Sequence, residues 1–364
     1  MTATYDAVLL TSFGGPEGPD DVLPFLRNVT RGKGIPDERL EEVGEHYRAF
    51  GGVSPINAQN SALRAALEAE LARRGTPLPV LWGNRNWAPY IDDALREADA
   101  AGHRRLLAVV TSAYSSYSSC RQYREDLARS LDETGLAGRI HIDKVRQYFD
   151  HPGFVEPFVT GVRDALERLD LPDERVHVLF ATHSIPLDAA RVSGQTEGRD
   201  FGDEGAYGAQ HRAVAEVVMA AQDRSPAWSL AYQSRSGPPS QPWLEPDVNE
   251  VIEALALDGL EAVVVVPIGF ASDHMEVLWD LDEEARQTAE RVGIRFERVL
   301  TPGTDPLFVA GLADLVLERV ELLAGREPER AALTALGPWD DVCRPGCCAN
   351  LRQGPLPAIA GEAP

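Results

Sequence analysis

In SDHMEVLWDLDEEA (272–285) three carboxylates, Glu276, Asp280 and Glu284, recur at a spacing of four. On a helix beginning after Ser272, that spacing stacks them on one face, where like charges repel and weaken the helix. A row of hard oxygen ligands suits transient handling of a divalent cation, although a merely solvated helix face carries such residues too. His183, in FATHSIP, follows an apolar run and precedes Ser184 and Pro186, which sets it at the mouth of a strand-end cleft. A histidine there can accept a proton or ligate a metal near neutral pH; the plain alternative is a turn cap. The other seven of the eight histidines lie mostly in helices or linkers and add nothing individually.

A second group is sulfur. Cys343, Cys347 and Cys348 fall within DVCRPGCC (341–348), and Cys120 lies far upstream. The start MTATYDAVLLTSFGG has neither the basic segment nor the long apolar run of a secretory signal, so a cytoplasmic setting is expected. Thiols there stay reduced, which favours metal binding over a disulfide, and adjacent Cys347 and Cys348 would make a strained pair. TRGKG (30–34), with Arg48, Ser54 and Arg85, supplies donors suited to carboxylates. Aromatic residues, among them Phe13, Trp87, Tyr123 and Trp279, collect at loops and would wall a flat hydrophobic ligand. FGGP and FGGVSP are glycine-rich, but neither matches a phosphate-binding fingerprint.

Four short apolar runs must position these residues: 6–16, 105–119, 176–186 and 261–274. Amphipathic patterns at 60–75, 90–102 and 248–259 lie between them. Continuous apolar strands alternating with such helices predict parallel sheets flanked by helices. The runs pair as 6–16 with 105–119 and 176–186 with 261–274, each roughly 90 residues apart, a weak repeat that suggests two similar α/β halves. Ligands bind beyond the carboxyl ends of such strands, so the four loops should line one cleft. Residues 1–148 with about 304–330 are expected to form the first half and 149–303 the second. From 331 to 364 an irregular extension carries three cysteines and ends in GPLPAIAGEAP, which has little to fold with.

The chain has 364 residues, enough for two compact domains, and a net charge of −22. That charge argues against nucleic acid and against an anionic membrane surface. The most apolar stretch, EAVVVVPIGFA, is too short to span a bilayer, so no integral membrane segment is expected.

LLTSFGGPEGPDDVLPFLRNV, YRAFGGVSPIN, FATHSIP, YQSRSGPPSQPWLEPDV and VPIGFASDHMEVLWDLDEE, in that order, resemble ferrochelatase, a family that inserts ferrous iron into a porphyrin. The resemblance covers residues from about 5 to 325 and implies two Rossmann-like, chelatase-type halves around a porphyrin cleft. It makes His183 the active-site histidine and Glu276 its partner, both also candidate ligands of the Fe²⁺ substrate. Which of the two is base and which is ligand stays open. Asp280 and Glu284 match an acidic path for metal or protons. Phe13 stands where relatives carry Tyr or Met; having no ligating atom, it reads as a porphyrin wall. Arg85 matches a basic position near the substrate, Ser54 and Tyr123 match propionate-holding residues, and Arg31 and Arg48 lie nearby.

Those donors, the lack of a membrane anchor and a composition typical of a GC-rich genome favour coproporphyrin III, with four propionates. Protoporphyrin IX, with two, is the alternative, followed by cobalt or nickel insertion into a related tetrapyrrole and by a non-catalytic haem-binding role. Some family members also hold a 2Fe–2S cluster by one cysteine from the body and three from a C-terminal extension. Cys120, Cys343, Cys347 and Cys348 match that set as a structural or sensing centre, and a Cys₄ zinc site is the other reading. The implied partners are porphyrin and ferrous iron, with other haem-pathway enzymes as candidates.

Overall fold

The computed structural model describes residues 4–32, 34–194, 199–237 and 240–361. Its strands are β1 (Ala7–Ser12), β2 (Val80–Asn84), β3 (Arg105–Val110), β4 (His141–Lys144), β5 (Val176–His183), β6 (Ala227–Gln233), β7 (Ala262–Val266) and β8 (Arg295–Arg298). They form two four-stranded sheets ordered β2-β1-β3-β4 and β6-β5-β7-β8, and every pairing is parallel. The repeat expected from the apolar runs is therefore real: β1 lies beside β3, and β5 beside β7, in the same permuted order. These inner strands are buried along nearly their whole length, because helices cover both faces of each sheet.

The helices are α1 (Val22–Val29), α2 (Asp37–Ala49), α3 (Ile56–Arg73), α4 (Ile91–Ala100), α5 (Gln122–Glu133), α6 (Pro152–Leu169), α7 (Leu187–Arg191), α8 (Gly205–Ala220), α9 (Val248–Leu257), α10 (Met275–Val277), α11 (Arg286–Val292) and α12 (Pro306–Leu323). Two π-helical stretches interrupt the regular pattern. Tyr117–Arg121 leads into α5, and Leu278–Ala285 joins α10 to α11. One continuous core runs from Leu67 of α3 and Val109 of β3, through Phe158 of α6 and Val316 of α12, to Val178 of β5 and Val264 of β7. The last helix, α12, packs on α6, on α3 and on β3. Among the described residues no helix is long and apolar enough to cross a membrane.

The extension has no regular helix or strand among the described residues, and it is docked rather than loose. Buried Arg146 donates to Glu318 at 2.9 Å, to Asp150 at 3.3 Å and to the Ala331 carbonyl at 2.7 Å. Arg330 and Arg319 reach Asp341 at 3.1 and 3.7 Å. Further on, Arg124 of α5 donates to the Ile359 carbonyl at 2.7 Å and accepts from its N–H at 3.1 Å. Local sequence carries no trace of such distant partners, which is why the tail read as irregular.

Removing one partner of a buried pair strands the other charge. Burial already outweighs Arg146 at Asp150, pushing its carboxyl up to about 6, and Glu318 takes the two shorter carboxylate contacts of Arg146, at 2.9 and 3.1 Å. Glu318→Ala should cost about 3–5 kcal/mol of stability in urea unfolding. A loss below about 1 kcal/mol would mean that the pair does not anchor this corner.

Candidate functional site

His183 is the last residue of β5 and stands at the crevice where the strand order reverses. Its Nδ1 lies within hydrogen-bond reach of the Ser184 carbonyl, which can only accept. Nδ1 therefore carries the proton, and Nε2 is left as a lone pair. That lone pair is 3.8 Å from Oε2 of Glu276, with the two side chains 33% and 52% exposed. Ser184 is itself fixed, its N–H donating to the Gln233 carbonyl and its hydroxyl to the Leu244 carbonyl, each at 2.8 Å.

The carboxylate stripe begins in α10 and continues through the π-helical stretch. In a regular α-helix, positions eight apart rotate by roughly 80°. The wider i→i+5 turn counters that rotation, and Asp280 feels the charges of both Glu276 and Glu284. The three carboxylates have different surroundings. Asp280 is half-buried and accepts from Ser234 Oγ and, at 3.1 Å, from Gln233 Nε2. Burial pushes its carboxyl up to about 7, and the flanking glutamates add to the rise. Glu284 accepts the Trp279 indole N–H at 2.8 Å. A group that binds and releases a proton near neutrality thus sits between two further carboxylates.

The first half reaches this stripe through α1 and α2. Phe25 and Tyr47 form a small core with Met275, and the His46 ring stacks on Trp279 at 3.9 Å. Phe13, 38% exposed after β1, stands edge-on to Phe25 with ring centroids 6.2 Å apart. Half-buried His274 is within electrostatic range of Glu276 and His183, and desolvation lowers its pKa. Sequence reasoning passed over His46 and His274. His274 stood only two residues before Glu276, and that adjacency was the available signal.

The expected substrate donors scatter. Arg31 is exposed and donates to Asn28 at 2.7 Å. Arg48 is engaged by Glu41 and Glu45 at 3.0 and 2.7 Å. Arg85 turns inward, pairing with Asp126 at 2.8 Å and lying 4.6 Å from the ring centre of buried Tyr123. Ser54 is buried against Gly15, where an added Cβ would come within 2.6 Å of the serine Cβ. That approach is the physical reason for the second glycine of FGGP; the first, Gly14, has φ 81° and lies against Asn84. Lys33 of TRGKG lies outside the described residues. A groove of about 710 Å³ between α8 and residues 333–336 contains neither His183 nor Glu276.

The four cysteines, distant in sequence, form a buried cluster of free thiols. Cys120 comes from the first π-helical stretch. Arg344–Cys347 is a type II turn: the Cys347 N–H meets the Arg344 carbonyl at 3.2 Å, and Gly346 has φ 78° after Pro345. Cys348 has φ 52°, held by the Val192 carbonyl on its N–H and by the Gly194 N–H on its sulfur, each at 3.1 Å. Hydrogen bonds from the Cys120 and Cys347 thiols hold Cys343 well below the usual thiol range, and Arg124 and Lys144 add to the fall. Among the described residues no three His, Cys, Asp or Glu converge as ligands of a single ion.

Two parallel sheets flanked by helices, with a histidine and a carboxylate facing each other beyond the strand ends, define an α/β protein of the chelatase fold. The family model described as Ferrochelatase matches residues 5–320. The chain is 62% identical to a coproporphyrin III ferrochelatase of Leifsonia xyli subsp. xyli, over 99% of this chain and 95% of that one. It is 56% identical to a protein of the same name from Tropheryma whipplei (strain Twist), over 99% of this chain and 93% of the other. A counterpart in Streptomyces griseus is 54% identical, with 99% and 96% covered. The chain belongs to the ferrochelatase family. Among solved structures, SirB from Bacillus subtilis with Fe³⁺ superposes with a TM-score of 0.52 at 12% identity, covering 86% of this chain and 96% of that one. That likeness bears on the fold alone.

Asp280 gives a pH signature. Its folded pKa of about 7 lies above the ordinary 3.8, so folding takes up a proton between those values. Its contribution is full below the unfolded pKa and is lost as pH rises through about 7. Melting temperature between roughly pH 4 and 8 should therefore fall less steeply in Asp280→Asn than in the parent. Parallel slopes would contradict the assignment.

Proposed function

We propose that the chain inserts ferrous iron into coproporphyrin III in haem synthesis, with His183 and Glu276 as the reacting pair. The carrying observation is the 3.8 Å gap between His183 Nε2 and Glu276 beside a carboxyl poised near pH 7. Entry of Fe²⁺ displaces two pyrrole N–H protons. Nε2 has the lone pair to accept one, and Glu276 leads to Asp280 and Glu284 as the route outward. The same lone pair and carboxylate can briefly ligate the incoming iron. Phe13 and the aromatic lip of α1 and α2 wall the flat ring, and Arg31 and Arg48 are the propionate partners, Arg48 by exchanging its glutamates. The organisation is read as two halves, 1–148 with about 304–330 and 149–303, with an extension from 331.

Cys120, Cys343, Cys347 and Cys348 would hold a 2Fe–2S cluster, and the site fits its charge. The oxidised cluster with four thiolates carries two net negative charges. Lys144 and Arg124 are buried cations beside these sulfurs, and Arg124 Nη1 is buried without a hydrogen-bond partner. A bound cluster supplies one-electron chemistry, which metal insertion does not use, so its role is structural or sensing. The reading includes a reducing cytoplasmic compartment, since the thiols must stay reduced to ligate.

Anaerobic assays with Fe²⁺ and each porphyrin test the reaction. Coproporphyrin III should be the better substrate, and His183→Ala and Glu276→Ala should each lower turnover by at least about a hundredfold. Retained insertion in both variants would remove the site assignment, and preference for protoporphyrin IX would remove the substrate. Visible absorption of freshly purified protein tests the cluster; a colourless, zinc-containing sample would exclude it.

A further inference from the structure

His183 is also held from behind, by a phenol. Buried Tyr207, in the first turn of α8, donates its hydroxyl to the His183 carbonyl at 2.8 Å. Its proton is free for that bond because of the neighbouring arrangement. Burial pushes the His211 imidazole down to about 3, so it is neutral and donates from Nδ1 to the Tyr207 carbonyl at 2.7 Å. Its Nε2 then accepts from the Thr182 hydroxyl at 2.9 Å. Thr182 Oγ1 lies 3.0 Å from the phenol oxygen without needing the phenol's proton. The ring that ends β5 and faces Glu276 is thus anchored at its backbone by an element from outside the sheet.

Tyr207 is in turn set by the thiol cluster. Its N–H donates to Ser193 Oγ at 2.9 Å, and that hydroxyl donates to the Ala190 carbonyl at 2.6 Å. Ser193 lies in the turn after α7 that Cys348 grips from both sides, through the Val192 carbonyl and the Gly194 N–H. Gly194 has φ 52°, and a Cβ there would come within 2.6 Å of Ala206, 3.0 Å of Ser115 and 3.0 Å of Trp339. First half, second half and extension close on this one residue, so the turn has little freedom to shift alone.

We propose that Tyr207 is a positioning residue for His183, and that the grip of Cys348 on residues 192–194 sets it through Ser193. The path is Cys348, Gly194, Ser193, Tyr207, His183, with only hydrogen bonds and one short turn between sulfur and active-site backbone. It rests on the catalytic role given to His183 but not on what the thiols bind, because the sulfur acts here as an acceptor of the Gly194 N–H. The state of the cysteine site, filled or emptied, is thereby felt at the imidazole.

The test uses the full-length protein. Tyr207→Phe keeps the ring and removes the hydroxyl. It should lower kcat for iron insertion about five- to tenfold while leaving KM for iron and porphyrin within about twofold. Ser193→Ala should lower kcat by about two- to threefold, and the double variant should be no slower than Tyr207→Phe. Full kcat in Tyr207→Phe, or multiplying losses in the double variant, would overturn the proposal.

A readout free of turnover guards against poor folding and against an error in the reaction itself. The ¹⁵N-histidine signal of His183, assigned by its loss in His183→Ala, should move in Ser193→Ala and in Cys348→Ser. In the Tyr207→Phe background, Cys348→Ser should no longer move it. A His183 signal that ignores Ser193→Ala, or that still responds to Cys348→Ser without the phenol, would refute the path. A colourless sample would fail the cluster reading while leaving these arms intact.

Discussion

At 3.8 Å, the His183 imidazole and the Glu276 carboxylate face each other but are too far apart to share a hydrogen bond. Two acceptors that face each other across such a gap leave room for a proton or a cation between them. Holding it open takes structure on each side. The imidazole is fixed by its own neighbour, Ser184, which is tied to β6 and to the Leu244 carbonyl. The carboxylate is fixed by a three-residue helix that runs into a π-helical stretch. π-Helical turns recur at functional sites, and both of those found here carry site residues, Cys120 in one and Asp280 with Glu284 in the other.

What could be read from sequence follows from how local each cause is. The four inner strands were legible because burial on both faces demands an unbroken apolar run. β4 and β8, reading HIDK and RFER, were not: they are short edge strands whose charges suit one exposed side. The spacing of Glu276, Asp280 and Glu284 announced a shared face, but it could not show that Asp280 alone is partly withdrawn from solvent, since that depends on Gln233 and Ser234 from β6 and its loop.

Donor type proved a weaker guide than donor partner. Arg85 and Arg48 were read as open cations, and both already have anions. Arg85 is matched by Asp126 beneath a tyrosine ring, and Arg48 by two glutamates of its own helix. In a chain with 35 basic and 57 acidic side chains, an arginine meets an acid before it meets a ligand. His274 was missed for the opposite reason: one histidine in a loop carries no periodicity, and its proximity to His183 arises only when β5 and β7 pair.

The same charge imbalance bears on how two unlike substrates would share one cleft. A net charge of −22 draws a divalent cation and opposes a porphyrin bearing carboxylates, but beyond about 8 Å salt screens both effects. Selection must then be local. For iron, local means a carboxylate stripe in which one member is kept protonated by burial up to about pH 7, so that the path carries less mutual repulsion than three full charges would. For the ring, local means apolar walls, because its largest surface is uncharged and exposed Phe13 is backed by Phe25 of α1, on which Trp87 from the loop after β2 also packs. On the proposed site, the acidic surface and the aromatic lip are therefore complementary demands, and both would be met at the unshared space between His183 and Glu276.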